Sequence, residues 1–122
     1  MEEKHLTRAI LIGADTGEYD AESSMDELAE LAQTAGAEEL ARVIQKREAY
    51  EAATVIGEGK LAEVRELCGS LGAELLIFDC ELTASQIRNV EDETDVRVID
   101  RTMLILDIFA ARAQSRAGRL QV

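Results

Sequence analysis

Two short runs, Ala9-Ile10-Leu11-Ile12 and Leu75-Leu76-Ile77-Phe78, are apolar at every position and are flanked by polar or turn residues. A strand with one wet face alternates, so an unbroken run this short describes a strand covered on both faces, the pattern of a parallel sheet with helices above and below. Both runs are therefore expected at the centre of a sheet. Leu40 to Lys46 and Val96-Arg97-Val98-Ile99 mix polar with β-branched residues and are expected nearer the edges.

Helical patterns separate these strands. Met25, Leu28, Leu31, Ala32 and Ala35 form one apolar stripe closed by Gly36, and Leu61, Val64, Leu67, Cys68 and Leu71 form a second closed by Gly72. Ser24 with Glu27, and Thr83 with Gln86, have the spacing of capping boxes. Arg47 to Thr54 reads as a loop leading to a brief strand at Val55-Ile56, and Thr102 as the cap of a final helix that is apolar nearly all round. The expected fold is a small open α/β sheet of four to five mainly parallel strands with right-handed crossovers. The expected division is an α/β unit over 1–101 and the start of a helical subdomain over 102–122. Leu120-Gln121-Val122 follows no stop signal, so the last helix is read as truncated from a helical hairpin.

A chain of 122 residues supports one core, and with no Trp, two Tyr and two Phe that core must be aliphatic. No stretch approaches the roughly 20 apolar residues of a membrane span, and no signal peptide is visible, so a cytoplasmic location without membrane contact is expected. Two cysteines without a neighbouring histidine point to reduced thiols and no metal site. The lone histidine, His5, lies in a polar leader, so a general base is not expected.

Charge is divided unevenly. Residues 1–100 carry 9 basic and 24 acidic side chains, a net of −15, whereas residues 101–122 carry Arg101, Arg112, Arg116 and Arg119 against Asp107, a net of +3. Phosphate is repelled by most of this surface, so any contact with RNA is expected to centre on the C-terminal end. Arg112, Arg116 and Arg119 recur at four and three residues, which on a continuous helix is one side: either a phosphate-facing stripe or a solvated face.

Two further clusters carry chemical possibilities. Gly57, Gly59 and Lys60 open a helix after a strand, an anion or nucleotide candidate or else a structural turn. The full Gly-x-x-x-x-Gly-Lys-Ser/Thr spacing is missing, which excludes a P-loop. Asp15, Asp79 and Asp100 follow strands, where carboxylates meet on the ligand side of a parallel sheet; they are a candidate acidic cluster or ordinary loop and capping aspartates.

Three segments taken in order, Ile56-Gly-Glu-Gly-Lys60, Ile77-Phe-Asp-Cys-Glu-Leu-Thr-Ala-Ser-Gln-Ile-Arg-Asn89 and Val98-Ile-Asp-Arg-Thr-Met-Leu-Ile-Leu-Asp-Ile-Phe-Ala-Ala-Arg-Ala113, resemble the N-terminal domain of the HflX family of ribosome-associated GTPases. The sequence departs from the family pattern at Ala84, where proline is frequent, and at Met103, where glycine is often found. The resemblance implies a parent with a separate GTPase domain that uses GTP and Mg2+, no cofactor in this fragment, and no GTP hydrolysis by it. It implies as partners the large ribosomal subunit with its RNA and the GTPase domain of the same chain, in ribosome splitting, rescue or biogenesis. Its candidate RNA-facing residues are Arg88, Asn89 and Arg101, beside Arg112, Arg116 and Arg119. Two alternatives from the residues stand next to it: an adenine-nucleotide or phosphate-binding domain using Gly57 to Lys60, and a regulatory domain packing its apolar 103–111 face on the GTPase domain. Without that partner the same face predicts self-association.

Overall fold

The computed structural model describes the backbone of residues 5–121 and the side chains of residues 5–111. Strands and helices alternate as β1 (Thr7–Asp15), α1 (Ala21–Thr34), β2 (Ala37–Lys46), α2 (Glu58–Leu71), β3 (Leu75–Phe78), α3 (Ala84–Thr94), β4 (Arg97–Asp100) and α4 (Arg101–Gln121). All four strands run parallel in one open sheet ordered β2-β1-β3-β4. The two wholly apolar runs occupy its centre and are buried throughout.

Strand order explains which helices share a face. The chain steps from β1 to β2 in one direction and from β2 over β1 to β3 and β4 in the other, so right-handed crossovers place α1 opposite α2 and α3. Side chains sort accordingly with the two-residue period of a strand. Ile10, Ile12, Leu76 and Phe78 pack with Leu61, Val64 and Cys68 of α2 and Val90 of α3. Ala9, Leu11, Leu75 and Ile77 pack with Met25, Leu28 and Ala32 of α1 and Leu104 of α4. The first turns of α4 thus belong to the core of the α/β body.

Several local starts and stops differ from expectation. Gly36 and Gly72 do turn left-handed, at φ +90° and +68°, each leading into a strand, and Thr83 with Gln86 forms the full reciprocal capping box of α3. Helix α1, however, is capped by Asp20, whose carboxylate accepts from the Ser23 amide and hydroxyl; Ser24 lies inside the first turn and is free for a distant partner. Helix α4 is capped by the Asp100 carboxylate, which accepts from the Met103 amide, and not by Thr102. Val55 and Ile56 form no strand of the sheet. Val55 sits at φ +69° and makes only an isolated antiparallel bridge to Glu51, because an extended run cannot continue through the left-handed region.

Candidate functional site

Parallel sheets bind ligands at the carboxyl ends of their strands, where the strand order reverses. Here that place lies between β1 and β3. The Asp79 amide bonds to the Ile12 carbonyl at 2.9 Å, which carries the pairing one residue past β3 and directs the Asp79 carboxylate toward α1 and α4. One carboxylate oxygen accepts from the Ser24 hydroxyl at 2.6 Å and the other from Arg101 Nη1 at 2.9 Å. Arg101 Nη1 also donates to Ser24 Oγ at 3.0 Å, and its Nη2 to Glu27 at 2.8 Å. A buried carboxylate is tolerated when a cation and hydrogen bonds satisfy it, and this one has both.

The other two aspartates are satisfied elsewhere. Asp100 accepts the Leu82 amide at 2.8 Å on one oxygen and the Met103 amide at 2.9 Å on the other, locking the loop after β3 to the start of α4. Asp15 turns back to the Gly17 amide at 2.9 Å. Among the described residues no three His, Cys, Asp or Glu side chains gather as a metal cage. Tyr19 and Cys80 feel the Asp79 charge, Tyr50 lies against both of them, and burial is the main cause that pushes all three groups above their ordinary pKa. For Cys80, with the Asp79 and Asp100 charges adding to burial, the thiol is pushed up to about 11, so it stays protonated at neutral pH and is a poor nucleophile.

The glycine–lysine turn is braced from behind by β2. The Gly57 amide donates to Gln45 Oε1 at 3.0 Å, and a side-chain carbon on Gly57 would meet Arg47 Nη1 at 2.7 Å, so glycine fits this close approach. Lys60 pairs with Glu63 at 2.8 Å, and Gly59 faces open space. On α3, Asn89 Nδ2 donates to the Ala53 carbonyl and Gln86 Nε2 to the Ala52 carbonyl, so both amides hold the 47–57 loop. Arg88 is exposed, and Glu91 one turn on bonds the Val98 amide. The structure therefore bonds Asp79 to Arg101, ties Asp15 and Asp100 to backbone amides, and holds the Gly57–Lys60 turn against β2. The side chains of Arg112, Arg116 and Arg119 lie outside the described residues, although α4 carries their backbone as continuous helix.

Ser24 and Glu27 are the partners that the sequence did not disclose. They share a helix face three residues apart, but Asp79 and Arg101 are 55 and 74 residues further on, and no local pattern links them. The usable signal was negative: Asp20 offers α1 a competing cap that frees Ser24.

Residues 22–110 match the family model described as GTP-binding GTPase N-terminal. The chain belongs to this family, as an HflX-type N-terminal domain. It is 47% identical over 116 residues to the GTPase HflX of Lacrimispora saccharolytica, covering 94% of this chain and 27% of that protein. For Alkalihalophilus pseudofirmus HflX the identity is 44%, over 100% of this chain and 29% of the relative, and for Escherichia coli HflX it is 42%, over 80% and 23%. The HflX-type domain thus spans less than a third of these curated relatives. Among solved structures, a glycine-to-proline variant of SsGBP matches with a TM-score of 0.66 and 21% identity, covering 95% of this chain and 38% of that one. A GTP-binding protein from Sulfolobus solfataricus in complex with GDP matches at 0.59 and 22%, over 86% and 30%. These two share the fold.

Proposed function

We propose that this domain is the large-ribosomal-subunit-binding module of an HflX-type GTPase acting in ribosome splitting, rescue or biogenesis, with α4 as its RNA-facing element. The observation that carries the reading is the placement of charge: the +3 segment of an otherwise −15 chain coincides with one helix, α4, which continues as helix through Gln121. Attraction to RNA phosphates is thereby concentrated on Arg112, Arg116 and Arg119, while the acidic remainder repels RNA and restricts docking to one orientation. Exposed Arg88 is a secondary candidate; Asn89 and Arg101 serve the fold.

GTP and Mg2+ belong to the rest of such a parent and do not fit the residues present. Leu61 follows Lys60 where a magnesium-binding hydroxyl would be required, the Gly57 amide is taken by Gln45, and Lys60 is taken by Glu63. No hydrolytic step is assigned to this chain.

Co-sedimentation with purified large and small ribosomal subunits tests the reading. Salt-sensitive pelleting with the large subunit alone is expected, with affinity falling steeply between about 50 and 200 mM salt. Equal pelleting with both subunits, or none at low salt, overturns it.

A second role is favoured by α4 itself. Leu106 and Phe109 are 61% and 60% exposed, and Met103 is exposed beside them, a face suited to packing on the remainder of a longer parent. Analytical ultracentrifugation is expected to show concentration-dependent self-association of the 122-residue chain, reduced by Leu106→Ser with Phe109→Ser; a strict monomer at high concentration contradicts this.

A further inference from the structure

Arg101 stands where the acidic body meets the basic helix, and its guanidinium is committed inward. Its side chain is 25% exposed and that of its partner Asp79 only 2%. The fork spans two elements: Nη1 reaches Asp79 past the end of β3 and Ser24 on α1, and Nη2 reaches Glu27 one turn along α1. Only a planar, multidentate cation makes all these bonds at once, and a lysine does not. The preceding residue, Asp100, ties the same first turn to the loop at Leu82. The base of α4 is therefore fixed from three directions within two consecutive residues.

Farther along, support thins quickly. Leu104 is buried at 2% exposure, Ile105 and Ile108 are half-buried, and Leu106, Phe109, Ala110 and Ala111 are exposed. A helix of 21 residues extends roughly 30 Å. A tilt of about 10° at its base moves its far end by roughly 5 Å, about one helical turn. A shift of that size separates an arginine from a phosphate it was placed to meet. Buried ion pairs often add little net stability, and in some proteins their directional bonds select one geometry over its neighbours.

We infer that Arg101 and Asp79 are positioning residues: with Ser24 and Glu27 they set the direction in which α4 leaves the sheet, and so where Arg112, Arg116 and Arg119 meet RNA. The helix-direction half stands on the geometry alone, and the RNA half rests on the proposed function.

Residual dipolar couplings on the 15N-labelled 122-residue chain read the first half directly. In the wild type, amides 103–111 and the sheet amides are expected to fit one alignment frame. In Arg101→Gln and Asp79→Asn the sheet couplings are retained, while those of α4 shrink or require a different frame. Should either variant fail to fold, Arg101→Lys and Glu27→Gln decide, both predicted to give a smaller departure of the same kind. Wild-type couplings for α4 in every folded variant overturn the inference.

Subunit binding reads the second half through its sign. Asp79→Asn removes a negative charge, so plain electrostatics predicts equal or tighter binding to the large subunit, whereas loss of aim predicts weakening by at least several-fold at equal salt. Binding as tight as wild type with a reoriented helix overturns the RNA half. A wild-type chain that does not bind the subunit sinks the ribosome reading alone, and the couplings still decide the helix-direction claim.

Discussion

The chain enters α2 and α4 in similar ways on paper, with an apolar run, a helix start and a basic residue near it: Lys60 in one case and Arg101 in the other. In the structure they are unlike. Lys60 answers only to Glu63 within its own helix, whereas Arg101 is bonded to residues 22, 74 and 77 positions away. A positive charge at a helix start shapes a protein when distant elements close around it. When only its own turn responds, it is surface.

The widest predicted gap between the two junctions is in stability. Asp79→Ala removes the buried acceptor shared by Arg101 and the Ser24 hydroxyl while Arg101, 25% exposed, keeps Glu27 and Ser24, and is expected to cost about 2 kcal/mol in urea unfolding. A loss under about 1 kcal/mol makes the junctions equivalent and breaks the comparison.

Next is the burial of the Cys80 thiol beside Asp79. With the Cys80 thiol raised from 9.0 to about 11, native-state alkylation by iodoacetamide near pH 8 is expected to run about tenfold slower than in the unfolded chain, since the higher nucleophilicity of the rarer thiolate offsets part of its scarcity. The sign follows from the neutral thiol being the form the fold accommodates. Its contribution is complete below the unfolded value and fades as pH climbs toward 11, with alkylation accelerating over the same interval. Native-state labelling of Cys80 at pH 8 as fast as in the unfolded chain means that the thiol is not buried beside Asp79.

Smaller effects calibrate the scale. Thr83→Ala removes the cap of α3 and is expected to cost about 1 kcal/mol of thermal or urea stability, with Gln86 left to bond the backbone amide at position 83 alone. Lys60→Ala breaks an exposed pair and is expected to change stability by no more than about 0.5 kcal/mol. A Lys60 effect larger than that of Thr83 points to a role for the α2 turn beyond its own helix.

Much of the scaffold is readable in the sequence because it rests on local rules. Ala9–Ile12 and Leu75–Phe78 have no polar position to turn outward, so they can only be central, and Gly36 and Gly72 mark helix ends wherever a left-handed residue leads into a strand. The departures share a cause. Ser24 and Thr102 have the chemistry of caps, but Asp20 and Asp100 make the capping bonds three residues on, while Ser24 is drawn to Asp79 and Asp100 is also held by the distant Leu82 amide. Val55 reads as a strand residue because it is β-branched; its left-handed φ goes with the bridge to Glu51 and a buried side chain, neither of which is legible locally. For the site, Asp79 and Arg101 are recognisable as individuals, but their pairing is not, because proximity arises only once the sheet assembles.

The most direct test of the ribosome-binding account reverses the arginines on α4. With Arg112→Glu and Arg116→Glu together, binding to the large subunit is predicted to fall sharply, and the slope of log affinity against log salt to flatten by roughly one unit for each phosphate no longer engaged. Affinity and salt slope equal to those of the wild type contradict the account, since the RNA-facing element is then not α4.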